Sequence, residues 1–345
     1  MTLATYGRLA LLPLLAAGCG TGGGPDGVIT HDTLRGSVVF DGEELSRPQE
    51  VEVVGGWLLV GDVPRPRALH VIDRAQGRHL ASWGREGRGP GEFLSLWGIQ
   101  REGRSDRVWL YDPGQTRLTL LDVSALVGGG DPLVEVLRLQ TDFVPMTAVW
   151  VGDSAIVSSG LFADGRFARF DRGGVLRSVA GPLPSARDGT PAAVAQHAYS
   201  GTLVAHPERS LIAIATRHAD RLEIHHVDGR PIRTARGPLG FEPVYEVKIV
   251  EGHPNMATGD ELRFGYVDAA AEGEHIYALY SGRTRGEPGK SHFGGEVHVF
   301  DWEGRLLRIL PLDERALAIA VDPDERTLYT IRHDPEPAVL RYELP

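Results

Sequence analysis

His275-Ile276-Tyr277-Ala278-Leu279-Tyr280, a polar loop, then Val297-His298-Val299-Phe300-Asp301 before Trp302-Glu303-Gly304: this stretch sets out the unit from which the chain is built. The first run is almost continuously apolar, as expected of a strand covered on both faces. The second ends in an apolar-apolar-Asp step. An Asp after a strand favours a turn, because its carboxylate accepts backbone N–H bonds locally. The same ending recurs at His70-Val71-Ile72-Asp73, Thr119-Leu120-Leu121-Asp122, Arg169-Phe170-Asp171 and His225-His226-Val227-Asp228, and closes at Leu340-Arg341-Tyr342-Glu343. An apolar run precedes most of these endings: Trp57-Leu58-Leu59-Val60, Val108-Trp109-Leu110-Tyr111, Leu211-Ile212-Ala213-Ile214 and Leu328-Tyr329-Thr330-Ile331.

Units centred near Val60, Leu110, Val157, Ile214, Leu279 and Tyr329 follow at a spacing of roughly 50 residues, which suits four strands per propeller blade. The third unit is degenerate and the fifth is stretched. The reading is an all-β chain folded as a six-bladed β-propeller, a single domain over residues 28–345. The last unit stops at Pro345, one strand short. The isolated run Arg35-Gly36-Ser37-Val38-Val39-Phe40 is expected to supply that strand and close the ring, leaving no open sheet edge.

Composition agrees. The 345 residues are 42% hydrophobic, enough for a packed core, and 44 Gly with 23 Pro imply many turns. The net charge of −10 leaves no basic stripe for phosphates, so a nucleic-acid partner is excluded.

The start of the chain reads as an address. Arg8 gives a positive segment, Leu9 to Ala17 (LALLPLLAA) is apolar but too short to span a bilayer, and Ala16-Ala17-Gly18 run into the sole cysteine, Cys19. This resembles a lipobox, so residues 1–19 are expected to be a lipoprotein signal ending at a lipidated Cys19. Two acyl chains suffice for stable anchoring. Residues 20–27 (GTGGGPDG) read as a flexible tether. The expected location is the bacterial cell envelope, facing the periplasm or the cell exterior, with the membrane itself as first partner through the anchor.

Trp83-Gly84-Arg85-Glu86-Gly87-Arg88-Gly89-Pro90-Gly91-Glu92-Phe93, followed by Val108-Trp109-Leu110-Tyr111-Asp112, resembles NHL-type propeller repeats. The stretch from Ile276 to Arg283 and the run Val297 to Gly304, with Ala320-Val321-Asp322 and Leu328-Tyr329, resembles the TolB-like six-bladed propeller lipoproteins of bacterial envelopes. That resemblance implies the fold and the envelope setting, and no settled reaction.

Chemistry is sparse in the sequence. It contains no Gly-x-Ser-x-Gly elbow, no His-Glu-x-x-His and no EF-hand-like loop. The Gly84–Gly91 stretch lacks a P-loop Lys-Ser/Thr and fits an inter-blade crossing. Calcium sites in propeller channels lean on Asn carbonyls and carboxylates, and Asn255 is the one Asn here. His225 and His226 are adjacent on a strand and point to opposite faces. His218 with Asp220 and His333 with Asp334 could share a metal only if both loops reach one channel mouth; as polar turn residues they need none. No cofactor and no metal are expected.

The function expected is a non-catalytic binding or scaffolding module for another envelope protein or a small ligand. Arg85, Arg88, Arg217, Tyr280, Arg283 and His333 are its candidate contacts, being Arg, Tyr and His at strand ends and crossings. The polar loop from Arg283 to Phe293 is its most prominent segment. The alternative is a propeller hydrolase, lyase or lactonase with its site at the central channel mouth.

Overall fold

The structure is a computed structural model that describes residues 27–63, 66–184 and 189–345. The predicted signal, Cys19 and the tether up to residue 26 lie outside the described residues. Six antiparallel sheets follow one another along the chain as the blades of a propeller. Blade 1 comprises Glu50–Val54, Trp57–Gly61, Leu69–Asp73 and Arg78–Trp83. Blade 2 comprises Ile99–Arg101, Arg107–Asp112, Arg117–Asp122 and Leu133–Arg138. Val144–Val151, Ala155–Leu161, Phe167–Asp171 and Leu176–Ala180 form blade 3. Gly201–Ala205, Leu211–Thr216, Arg221–His226 and Pro231–Arg236 form blade 4. Blade 5 is Tyr266–Glu272, His275–Tyr280, Gly294–Asp301 and Leu306–Ala316. Blade 6 is Ala318–Val321, Thr327–Arg332 and Ala338–Glu343, completed by Ser37–Phe40 from the start of the chain.

The apolar runs are the second strands, and they are covered on both faces: every residue of Leu211–Thr216 is buried. Six apolar clusters fill the six blade interfaces, so the core is a ring rather than a ball. Leu59, Leu69 and Val71 of blade 1 pack with Val108, Leu110 and Leu121 of blade 2, for example. Each such side chain withdrawn from water contributes about 2 kcal/mol.

The repeated aspartates are turn clasps. Asp73 Oδ1 accepts the N–H groups of Ala75 and Gln76 at 3.0 and 2.8 Å. Asp171 Oδ1 accepts those of Gly173 and Val175 at 2.9 and 3.0 Å, and Asp301 Oδ1 those of Glu303 and Arg305 at 3.1 and 2.8 Å. The Gly-rich stretch after Trp83 is the crossing from blade 1 to blade 2. Arg117 Nη1 and Gln115 Nε2 of blade 2 donate to the carbonyls of Gly89 and Gly87 at 3.0 and 3.2 Å. Gly87 has φ 149°, and a Cβ there would run into the Glu92 carboxylate, so only glycine fits this turn.

Two features depart from the repeat pattern in the sequence. The fifth unit is stretched because its crossing carries an extra hairpin, Glu246–Val250 against His253–Ala257. The third unit is regular in space despite its weak signal, because buried Ser158 and Ser159 replace apolar residues in its second strand. Ser159 satisfies its hydroxyl against Thr147 Oγ1 at 2.6 Å.

Candidate functional site

Neighbouring strands within a blade are antiparallel, so the chain turns at alternate ends of the ring. The blade-to-blade crossings and the turns after the second strands share one end, the crossing face. The six innermost strands enclose a central cavity of about 540 Å³. Side chains alternate along these strands. Glu50 and Glu52 therefore line the channel while Val51 and Val53 pack between blades 6 and 1.

Charge in the channel is layered. Away from the crossing face, Arg101 of blade 2 donates from Nη2 to Glu272 Oε2 of blade 5 at 2.6 Å. Blades 2 and 5 stand opposite each other in a ring of six, so this ion pair is a strut across the channel. Nearer the crossing face, Asp268 accepts the Ile319 N–H at 2.8 Å and the Thr202 hydroxyl at 3.4 Å, tying blades 4, 5 and 6 together. Gln100 joins blade 2 to blade 3, accepting the Trp150 N–H at 2.7 Å and donating to its carbonyl at 2.9 Å. Beside it Trp109 and Trp150 pack at 5.0 Å and give the cavity an aromatic wall.

Burial raises the channel acids. Glu50 lies well above the ordinary carboxylate range through burial, then through Asp268 and Glu52. Burial also raises Asp268 and pushes Glu52 up to about 7, although Arg101 pulls Glu52 the other way. Because the folded-state value of Glu52 exceeds its ordinary one, stability is lost as pH rises from the ordinary carboxylate range to about 7. Glu52→Gln can still accept the Val53 N–H, which lies 2.9 Å from Oε1. The variant should raise the melting midpoint at pH 8 by about 3 °C and leave it almost unchanged at about pH 4, where both the folded and the unfolded chain hold the proton. An equal shift at both pH values would contradict a strained carboxylate.

At the crossing-face mouth an alternating series of rings runs from His218 through Phe264, His292 and Phe293 to His333, with centroid separations of 5.8, 6.0, 4.8 and 5.3 Å. Burial, then Arg217 and His197, push His218 down to about 3, so it is neutral at physiological pH. Burial lowers His197, His292 and His333 in the same sense. Arg217 sits at the inner edge of this mouth. Its N–H donates to the Ser200 carbonyl at 2.8 Å, and its own carbonyl accepts the Gly265 N–H at 2.7 Å.

A six-bladed ring closed by its own N-terminal strand, with a solvent-accessible channel, is now in view. Over residues 31–324 the chain matches the model of a family described as TolB-like 6-blade propeller-like. The chain belongs to this TolB-like family. Among solved structures, the WD40 repeats of RRP9 share 10% identity at a TM-score of 0.50, with 87% of this chain and 81% of that chain covered. Raptor of Chaetomium thermophilum shares 11% identity at a TM-score of 0.52, with 91% of this chain but 29% of that chain covered. At such identities the likeness is one of fold alone. No curated protein matches this chain.

On this TolB-like propeller all six sequence-predicted contacts fall at the crossing-face end, but in different settings. Arg85 is exposed and paired with Glu92 at 2.8 Å, and Arg88 is exposed in the same crossing. Tyr280 is buried, stacked on His298 at 4.5 Å, and out of reach of a surface partner. Arg283 clasps its own loop, donating to Glu287 at 2.9 Å and to the Pro288 carbonyl at 2.6 Å. His333 donates from Nε2 to the Pro48 carbonyl at 2.6 Å. Arg217 acts through space on the channel carboxyls Asp268 and Glu50.

The two His-Asp pairs do share a mouth, yet their carboxylates are turned to other work. Asp220 accepts the N–H groups of Leu239 and Gly240, both at 2.7 Å, and Asp334 pairs with Lys290 at 3.0 Å. Among the described residues no group of three or more His, Cys, Asp or Glu is placed to hold a metal ion. Also among them, no helix is long and apolar enough to cross a membrane. The channel acids Glu50, Glu52, Asp268 and Glu272, with Arg101, His197 and His292, are the site groups that sequence reasoning missed. The alternation Glu50-Val51-Glu52-Val53 was the available signal.

Proposed function

We propose that this TolB-like propeller is an envelope-anchored, non-catalytic binding or scaffolding module. Acyl chains on Cys19 hold it to a membrane of a bacterial cell envelope, and its crossing face receives a periplasmic or external partner. The observation that carries this reading is the extra hairpin of the fifth unit. It holds Val247, Ile249 and Val250 in water at 41%, 68% and 53% exposure, and Leu239, nearby in the same crossing, is 57% exposed. A row of exposed apolar residues beside a channel mouth suits an interaction surface.

A photocrosslinker at Ile249 in intact cells should form one discrete adduct, and the same probe at Arg104 on the opposite face should form none. Equal labelling from both positions, or none from Ile249, would remove the binding face. The mass of the mature N-terminus tests the anchor separately, and an unmodified Cys19 would remove it.

One observation favours the enzymatic alternative. Carboxyl groups raised toward neutrality, as Glu52 is to about 7 and Glu50 is by burial, suit general acid chemistry. On that reading Glu52→Gln would abolish a turnover, whereas on the binding reading it changes only the pH dependence of stability described above.

A further inference from the structure

Arg217 is set apart from the other cations of the crossing-face mouth. Lys290 is paired with Asp334, Arg285 donates to the Thr258 hydroxyl at 2.6 Å, and Arg283 is spent on its own loop. Arg217 makes no side-chain hydrogen bond and no ion pair within 4 Å among the described residues. Asp268 and Glu50 act on it only through space. Its backbone is nevertheless fixed on both sides by Ser200 and Gly265, so the guanidinium is presented from a rigid frame.

Two imidazoles, His218 and His292, lie close enough to feel its charge, and among the described residues neither makes a hydrogen bond. His218 Nδ1 is buried with none, and the rings of His218 and His292 flank Phe264 at 5.8 and 6.0 Å. Leaving polar nitrogen atoms unsatisfied in a half-buried site is costly unless a ligand completes them.

We infer that this mouth binds a compact oxyanion of the sulfate or phosphoryl class, gripped by the Arg217 fork and by the imidazoles of His218 and His292. A guanidinium presents two parallel N–H donors at the spacing of two oxygens on one tetrahedral centre. An imidazole on either side of Phe264 supplies a further donor, once its tautomer or protonation state adjusts to the anion. Burial raises both carboxyls that act on Arg217, Asp268 and Glu50, which reduces the negative charge an incoming anion meets.

The inference deepens the binding reading above and rests on it. Its test is calorimetric titration of the purified full chain with sodium sulfate, and then with inorganic phosphate. Saturable one-to-one binding is expected. Arg217→Gln should weaken it at least tenfold and His292→Asn several-fold, while Arg104→Gln on the opposite face leaves it unchanged. If Arg217→Gln fails to fold, Arg217→Lys carries the test, because it keeps the charge and loses the fork, and binding should still weaken severalfold. Displacement by vesicles containing phosphatidic acid, but not by pure phosphatidylcholine, would assign the anion to a lipid headgroup. Displacement by soluble glycerol phosphate alone would assign it to a free ligand. Failure to saturate below about 10 mM, or full affinity in both the Arg217 and His292 variants, would overturn the site. A persisting Ile249 crosslink in that case would leave the binding face standing without it.

Discussion

Removal of residues 28–42 is expected to lower the melting midpoint by roughly 10 °C and to make unfolding irreversible. The segment is a double latch. Ser37–Phe40 pairs with Ala338–Glu343 as the outermost strand of blade 6, with Val38 opposite Leu340 and Phe40 opposite Val339. Further back, Ile29 and Thr30 run parallel to Arg308 and Ile309 on the edge of blade 5. Between the two, the Leu34 N–H donates to the Pro311 carbonyl at 2.8 Å, and the Gly36 N–H to Asp313 Oδ1 at 3.0 Å. One stretch of chain therefore staples two blades.

Each ladder hydrogen bond contributes about 1 kcal/mol net, and burial of Phe40 in the interface of blades 6 and 1 about 2 kcal/mol more. Deletion also bares the edge strand Ala338–Glu343, a template for pairing with another molecule. Phe40→Ala should show a smaller loss, about 3 kcal/mol. Differential scanning calorimetry of both variants reads the two effects, and an unchanged melt in the deletion would mean that the ring closes without its N-terminal strand.

That latch was half legible in the sequence, and the halves differ for a physical reason. Ser37-Val38-Val39-Phe40 reads as a strand because β-branched and aromatic residues stand together. The Ile29-Thr30 pairing has only two residues next to a glycine-rich stretch of sequence, and it depends on a blade edge far along the chain. The second strands and the aspartate turns were legible for a similar reason: burial on both faces demands unbroken apolar runs, and the clasp is local to each turn. The innermost strands were not. Arg101, Thr202 and Asp268 look like loop residues in isolation, because their partners are supplied by other blades around the channel. Ser158 and Ser159 blurred the third unit in the same way, being polar residues whose burial only the neighbouring strand explains. The candidate contacts came from strand ends and crossings, and so all six fall at the crossing-face end of the ring. Which of them were free was a matter of pairing, which spacing cannot report: Arg283 is consumed by Glu287, whereas Arg217 is not.

Glu223→Ala is expected to cost about 3–5 kcal/mol, a drop of roughly 5 °C in the melting midpoint. Arg166 and Glu223 are both almost fully buried, at 1% exposure each, in the interface between blades 3 and 4. Arg166 donates from Nε to Glu223 Oε2 at 2.8 Å and from Nη2 to Oε1 at 3.3 Å. Its remaining donors reach Gln196 Oε1 at 2.9 Å and the Tyr199 carbonyl at 2.7 Å. Burial alone would raise Glu223, but Arg166, His225 and Arg221 together hold its carboxyl down at about 2. The carboxylate thus stays ionised well below the ordinary carboxylate range, and its stabilising contribution is lost as pH falls from that range to about 2.

Truncating Glu223 strands a guanidinium in an apolar interface, where water cannot follow. Replacing both partners, as in Arg166→Met with Glu223→Leu, removes the stranded charge and should recover most of the midpoint, since two apolar side chains can fill the same interface. The double variant nevertheless severs Arg166 from Gln196 and Tyr199, which anchor the helix Ala192–Ala198 and with it His197 at the channel mouth. Stability and order at the mouth should therefore separate: the double variant melts close to the wild type while amide exchange in residues 192–200 accelerates. A Glu223→Ala midpoint within 1 °C of the wild type would show that this ion pair is not what holds blades 3 and 4 to the helix.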